Sequence, residues 1–163
     1  MTRAHPLENR IPPPVVAFAV LLAELAAARW VPAAQFGPIA ARPDLAPLQL
    51  AGIALGVAGL AAMAAGVLAF RRKATTVDPL HPEKATSVVT GGIFRFTRNP
   101  MYLGMALILL SVALVLSNAL ALLGPLLFAA WITRFQIRPE ERALEHLFGA
   151  EFRNYRARVR RWL

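Results

Sequence analysis

The chain has 163 residues, 57% of them hydrophobic, a mean hydropathy of +0.51, no cysteine and a formal charge of +9. That is more apolar than an ordinary soluble domain, in which about half the residues are apolar. The lack of cysteine excludes disulfides, thiolate metal sites and cysteine nucleophiles. The basic residues sit at the edges of apolar runs, as in a membrane protein facing anionic lipid, so nucleic acid is set aside as a partner.

Residues 1 to 12 are polar, and Pro13 to Val31 is nearly all apolar. At about 1.5 Å per residue this run covers roughly 28 Å, close to one bilayer core. Its end, Ala26-Ala27-Ala28, also fits a signal-peptide cleavage site, but the run is read as a retained helix with Trp30 at the far interface. Glu24 is the odd residue inside it. Its functional reading is a proton or substrate contact; the favoured reading is a carboxylate facing the bundle and paired with Arg29 or a backbone donor.

Pro32 to Pro47 is a proline-rich loop on the far side. Leu48 to Phe70 is the second span, and its Gly52-x-x-x-Gly56 lets a neighbouring helix approach closely. Arg71, Arg72 and Lys73 stop it. A polar loop runs from 71 to 99. Pro100 to Ser117 is the third span and Ala119 to Ile137 the fourth, with only Ser117 and Asn118 between them, so a tight hairpin with a kink at Pro125 is predicted. From Pro139 to Trp162, Leu144, Leu147, Phe148, Phe152, Tyr155, Val159 and Trp162 recur at steps of three or four, which predicts an amphipathic helix lying in the interface. Its arginines are read mainly as lipid-facing charge.

Sixteen of the 18 Lys and Arg fall before the first span, in the middle loop or from Arg134 onward. The positive-inside rule then places both termini and the middle loop in the cytoplasm, and four spans satisfy the arithmetic. The expected fold is an all-α integral membrane bundle of about four transmembrane helices with a C-terminal amphipathic interfacial helix, in a single domain.

Chemistry is concentrated between Thr86 and Tyr102. Gly91-Gly92 gives a turn where backbone can approach a ligand closely. Arg95 and Arg98 flank Phe94 and Phe96. Asn99-Pro100 also reads simply as a helix start, Asn as N-cap and Pro as first helical residue. Glu140-Glu141 reads either as a first-turn pair suited to the helix dipole or as an anionic partner for a cationic ligand at the membrane surface. His81 and His146 are possible proton carriers or ligands, but no second His or acidic residue stands at ligand spacing to either, so no metal is expected. No phosphate-loop, dinucleotide or nucleophile-elbow pattern is present.

The order of these pieces carries a resemblance. A loop ending Val-Val-Thr-Gly-Gly-Ile-Phe-Arg-Phe-Thr-Arg-Asn-Pro-Met-Tyr-Leu-Gly is followed by a tight hairpin and then by Glu-Glu-Arg-Ala-Leu-Glu-His-Leu-Phe-Gly-Ala-Glu-Phe-Arg-Asn-Tyr. This resembles the isoprenylcysteine carboxyl methyltransferase and phospholipid methyltransferase superfamily of integral membrane enzymes, over about Thr76 to Val159. The resemblance implies S-adenosylmethionine as cofactor, with Val88, Val89, Phe94, Asn99, Pro100, Tyr102 and Glu140 as its contacts. A substrate-facing arginine of the family has no match, because Gln136 occupies its place between Arg134 and Arg138. Asn99 stands where the prenylcysteine enzymes usually have His, and Phe94 where they have Tyr; Asn at that point is closer to the phospholipid-type and uncharacterised bacterial members.

The implied function is methyl transfer to a lipophilic acceptor, carboxylate or amine, at the cytoplasmic membrane face. Arg134 or Arg138 would orient a carboxylate; Glu141 or His81 would take the proton of an amine. Two other readings stay open: a nicotinamide-dependent membrane reductase of related fold, and a non-catalytic membrane protein.

Overall fold

The computed structural model describes residues 6–35, 47–73, 80–81 and 84–163. Most of the proline-rich far loop and part of the middle loop lie outside the described residues. Among the described residues there are six α-helices: α1 (Pro13–Trp30), α2 (Pro47–Arg72), α3 (Pro100–Leu116), α4 (Leu123–Ile132), α5 (Arg138–Phe148) and α6 (Ala150–Arg158). Among the described residues there is no strand, only an isolated bridge between Gln35 and Asn118. The fold is the expected all-α bundle.

α1 and α2 are long and apolar enough to cross a membrane, and α3 is a shorter apolar helix. Their outward faces carry the apolar residues. Val15, Phe18, Leu22 and Leu25 stand exposed along one side of α1, and Leu50, Ile53, Val57, Leu60 and Leu68 along one side of α2. Steps of three and four, and one of eight in α2, place each set on one stripe. An exposed apolar stripe of that length suits lipid rather than water. The inner face of α2 is the reverse, with Gly52, Gly59 and Gly66 buried.

Those glycines let α3 come close in an antiparallel seam. A Cβ on Gly104 would stand 2.5 Å from the Gly59 carbonyl oxygen, and one on Gly59 would stand 2.7 Å from the Gly104 carbonyl oxygen. In lipid, where apolar burial adds little between helices, such backbone proximity is what holds two helices together. α1 and α4 pack on the other side of α3, around Tyr102, Leu109, Phe128, Ile132 and Ile137.

The α3–α4 hairpin is longer than Ser117-Asn118. Ser117 adopts a left-handed conformation with φ 50°. The Asn118 carboxamide oxygen accepts from the backbone N–H groups of Leu120 and Ala121, at 3.0 and 3.2 Å. This side-chain turn outcompetes a helical start, so α4 begins only at Leu123. Pro125 therefore lies in the first helical turn, where proline is tolerated. The irregularity in this rod comes later: a π turn over Thr133–Ile137 joins α4 directly to α5.

The C-terminal segment is not one long helix. Gly149, with φ +50°, divides α5 from α6; at that φ a side chain would be strained, and glycine is not. The apolar stripe is real, but part of it packs on protein. Phe152 and Tyr155 are buried against Val88, Val89 and Phe94, with Leu144, Phe148 and Val159 beside them.

Glu24 also differs from its favoured reading. It is 2% exposed, and neither carboxyl oxygen has a hydrogen-bond partner among the described residues, Arg29 included. Its side chain lies against the backbone of Gly124, where a Cβ would overlap the carboxyl group.

Candidate functional site

One cavity gathers residues from the end of α2, the middle loop and the starts of α3 and α5, with α6 closing it. Its lining includes Phe70, Ser87, Val88, Val89, Phe94, Arg98, Asn99, Pro100, Met101, Tyr102, Glu140, Glu141, Leu144, Phe152 and Tyr155. Local sequence explains how each part is held.

The loop wall is fixed by aromatics. The Phe70 and Phe94 rings meet edge to face, with centroids 5.2 Å apart. A short 3-10 turn over Gly92–Arg95 brings Phe94 inward. The Tyr155 hydroxyl then donates to the Phe94 carbonyl oxygen at 2.8 Å, which pins loop to α6. Burial pushes the Tyr155 hydroxyl above its ordinary pKa, so it stays a donor.

Asn99 occupies the capping position of α3, and its carbonyl accepts from Leu103 N–H. Its side chain makes no cap. The carboxamide instead donates to the Arg161 carbonyl oxygen at 2.9 Å. Thr97 Oγ1 reaches the same oxygen at 3.3 Å, and Arg98 N–H donates to the Arg160 carbonyl. Residues 159–162 thus return across the loop as a strap. Trp162 fastens it further by donating from Nε1 to Thr133 Oγ1 at 3.2 Å.

The acidic pair is split into two roles. Because α4, the π turn and α5 are continuous, α5 has no free first turn, and the helix-dipole reading of Glu140-Glu141 does not apply. Glu140 Oε1 accepts from the Tyr102 hydroxyl at 2.5 Å and from Gln136 Nε2 at 2.8 Å. No bond from the described residues falls on Oε2. Burial pushes the Glu140 carboxyl up to about 7, against those two hydrogen bonds, and the nearby Glu141 charge adds to the rise.

Glu141 faces the other way. Its Oε1 takes Arg98 at 2.6 Å, and its Oε2 takes Arg161 at 2.6 Å. Burial raises its pKa, but the hydrogen bonds from Arg161 and Arg98 outweigh it and hold the carboxyl below the usual range. The same pairing raises the Arg161 guanidinium. A carboxylate gripped by two guanidiniums is a tie between α3, α5 and the strap, and a weak base.

Arg98 also donates to the Val159 carbonyl at 2.6 Å and to the Arg156 carbonyl at 3.1 Å. Two buried polar atoms of the lining lack a partner among the described residues: Arg98 Nε and Ser87 Oγ.

The cavity therefore brings together Val88, Val89, Phe94, Asn99, Pro100, Tyr102, Glu140 and Glu141. It leaves out Arg134 and Arg138, which are exposed on the far side of the π turn. Arg134 pairs with Glu8 at 3.0 Å, and Arg142 shares that carboxylate. His81 and His146 are exposed and outside the lining. Among the described residues no three His, Cys, Asp or Glu side chains could share a metal ion.

Sequence reasoning missed Phe70, Arg98 as a lining residue, and the strap. The 3- and 4-residue spacing of Phe152, Tyr155 and Val159 signalled one buried face, and only its partner was misread. Gln136 was visible as a substitution, but its bond to Glu140 was not.

The sequence profile of the phospholipid methyltransferase family matches residues 48–151. The chain belongs to that family. The match runs from the second helix to the start of α6 and includes every lining residue named above except Phe152 and Tyr155. An uncharacterized protein of Haemophilus influenzae is 52% identical over 63 residues, which is 39% of this chain and all of that protein. No solved structure matches. Family membership and the apolar helices together mark a membrane methyltransferase.

Proposed function

We propose that the chain is an S-adenosylmethionine-dependent methyltransferase acting on a lipophilic carboxylate or amine at the cytoplasmic membrane face. α1, α2, α3 and the α4–π segment would be its four spans, and both termini cytoplasmic. The observation that carries this reading is the cavity. It collects all seven positions that the motif resemblance assigns to the cofactor, from three separated stretches of chain.

The lining suits a nucleoside that carries a sulfonium. Aromatic faces from Phe94 and Tyr102 attract a soft cation. Glu140 has an oxygen not taken by protein donors, suited to ribose hydroxyls or an amino group. Ser87 Oγ and Arg98 Nε are buried polar atoms that a polar ligand would satisfy. Val88 and Val89 offer backbone edges for an adenine. When bound, S-adenosylmethionine supplies an electrophilic methyl group.

The chain's own contribution is to position and to exclude water. The strap and the Tyr155–Phe94 bond close the loop over the cavity, and alignment of two reactants is worth several kcal/mol of barrier. An amine acceptor must lose a proton. Glu140, with its pKa near neutrality, suits that task better than Glu141, which its two arginines keep ionised. Arg134 and Arg138 would meet only the part of an acceptor that lies outside the cavity. Family membership favours methyl transfer over nicotinamide-dependent reduction.

Calorimetry of S-adenosylmethionine and its demethylated product on the detergent-purified protein tests the reading. Binding by the wild type that Glu140→Ala loses is the expected result. A folded wild type that binds neither compound overturns it.

A further inference from the structure

A second groove lies beside the cavity. Thr90, Gly91, Arg95, Tyr155, Arg158 and Val159 line it. Tyr155 lines both spaces, so its ring is the wall between them. Arg95 and Arg158 are exposed, and neither forms an ion pair among the described residues. Arg158 Nε donates to the Asn154 carbonyl, which steadies the guanidinium. Among the described residues no carboxylate lines the groove.

Gly91 is the second observation. Gly92 needs to be glycine, because its φ is +60°. Gly91 does not: its φ of −93° and ψ of 169° are open to any residue, and a Cβ there would meet nothing within 4 Å. Neither conformation nor packing accounts for it. Gly91 lines the groove and adds no side chain to it. Immediately beyond Arg95, Phe96 is 74% exposed. A protruding aromatic next to paired arginines is the composition a membrane interface receives.

We propose that this groove binds the phosphate of an anionic phospholipid headgroup, held by Arg95 and Arg158 with the Thr90 hydroxyl beside them. Guanidinium groups match phosphate oxygens two at a time. Phe96 and the exposed apolar stripes of α1 and α2 make a lipid the source of that phosphate. The bound lipid anchors the loop that walls the cavity and is distinct from any methyl acceptor. It requires no methyl transfer.

Native mass spectrometry of the detergent-purified protein with phosphatidylglycerol tests the assignment. Glycerol 3-phosphate and phosphatidylcholine serve as the free-phosphate and zwitterionic arms. The wild type is expected to retain phosphatidylglycerol over both. An interfacial arginine is worth about fivefold in binding an anionic lipid, so Arg95→Gln with Arg158→Gln should weaken retention by roughly 25-fold. Gly91→Phe, which fills the groove and keeps both charges, should weaken it as well. Arg153→Gln with Arg160→Gln removes the same charge outside the groove and should change retention little. Equal loss in both charge pairs, no effect of Gly91→Phe, or preference for glycerol 3-phosphate overturns the proposal. The readout is independent of S-adenosylmethionine binding, so failure of one assignment does not mask the other.

Discussion

Tyr102, in the first turn of α3, donates its hydroxyl to Glu140 at the head of α5, 38 positions away. Gln136 donates to the same oxygen, so one carboxylate oxygen is consumed by protein and the other is left over. The division fixes how the carboxyl is turned, while burial, working against both hydrogen bonds, raises its pKa to about 7.

That arrangement has a pH signature. Glu140 has a folded-state pKa of about 7 against 4.5 in the unfolded chain. Its contribution to stability is complete below pH 4.5 and is lost as pH rises through 7, by about 3 kcal/mol. Glu141 is shifted the other way, so its contribution is lost only on acidification below the normal carboxylate range. Thermal denaturation in detergent is expected to show stability falling between those two values, and Glu140→Gln to flatten the profile. Affinity for S-adenosylmethionine should rise across the same window as the carboxylate ionises, and in Glu140→Gln it should be weak and independent of pH.

The Arg98–Glu141–Arg161 tie sets a second expectation. Removing one partner of a buried ion pair costs about 3–5 kcal/mol, because the remaining charge is left uncompensated. Glu141→Gln should lower the melting temperature and expose the segment after Arg158 to limited proteolysis. A variant whose strap stays protected would show that the other bonds to residues 159–162 hold it alone.

Glu24 makes the opposite prediction. Both of its oxygens are buried without partners among the described residues, which costs about 1–3 kcal/mol by protein mutational measures. Glu24→Met keeps the length of the side chain and removes the polar atoms, so it should raise the melting temperature. An unchanged or lower value would mean that the carboxyl finds a partner in the lipid-embedded protein.

The α2–α3 seam has no room for a side chain at its closest point. Gly104→Ala places a methyl group 2.5 Å from the Gly59 carbonyl oxygen. Overpacking of that kind costs about 1–3 kcal/mol. The variant should melt earlier, whereas Gly91→Ala, whose Cβ meets nothing, should melt as the wild type does.

Much of this was legible because hydrophobic period and charge position are local properties. The apolar runs gave α1, α2 and α3 nearly to the residue, and the order of the Asn99-Pro100-x-Tyr102 and Glu140-Glu141 segments pointed to one shared site. What was missed depends on distant partners. Asn99 looked like an ordinary cap because its bond to Arg161 spans 62 positions. The stripe from Leu144 to Val159 looked fit for lipid because periodicity reports an apolar face and not what covers it. Arg134 and Arg138 flanked the right position, but the π turn leaves both outside the cavity and directs Gln136 to Glu140.

The strap also dictates an order of events during biosynthesis. Every helix of the bundle precedes Val159 in the chain, so the membrane portion can insert and pack before the strap has been made. Such an intermediate holds Glu141 between α3 and α5 with only one of its two guanidiniums, and the Arg161 carbonyl that Thr97 and Asn99 share does not yet exist. Nascent protein therefore passes through a stage that is embedded and helical yet lacks the closed cavity. Closure of the cavity arrives late, with a few residues, rather than growing in step with the helices.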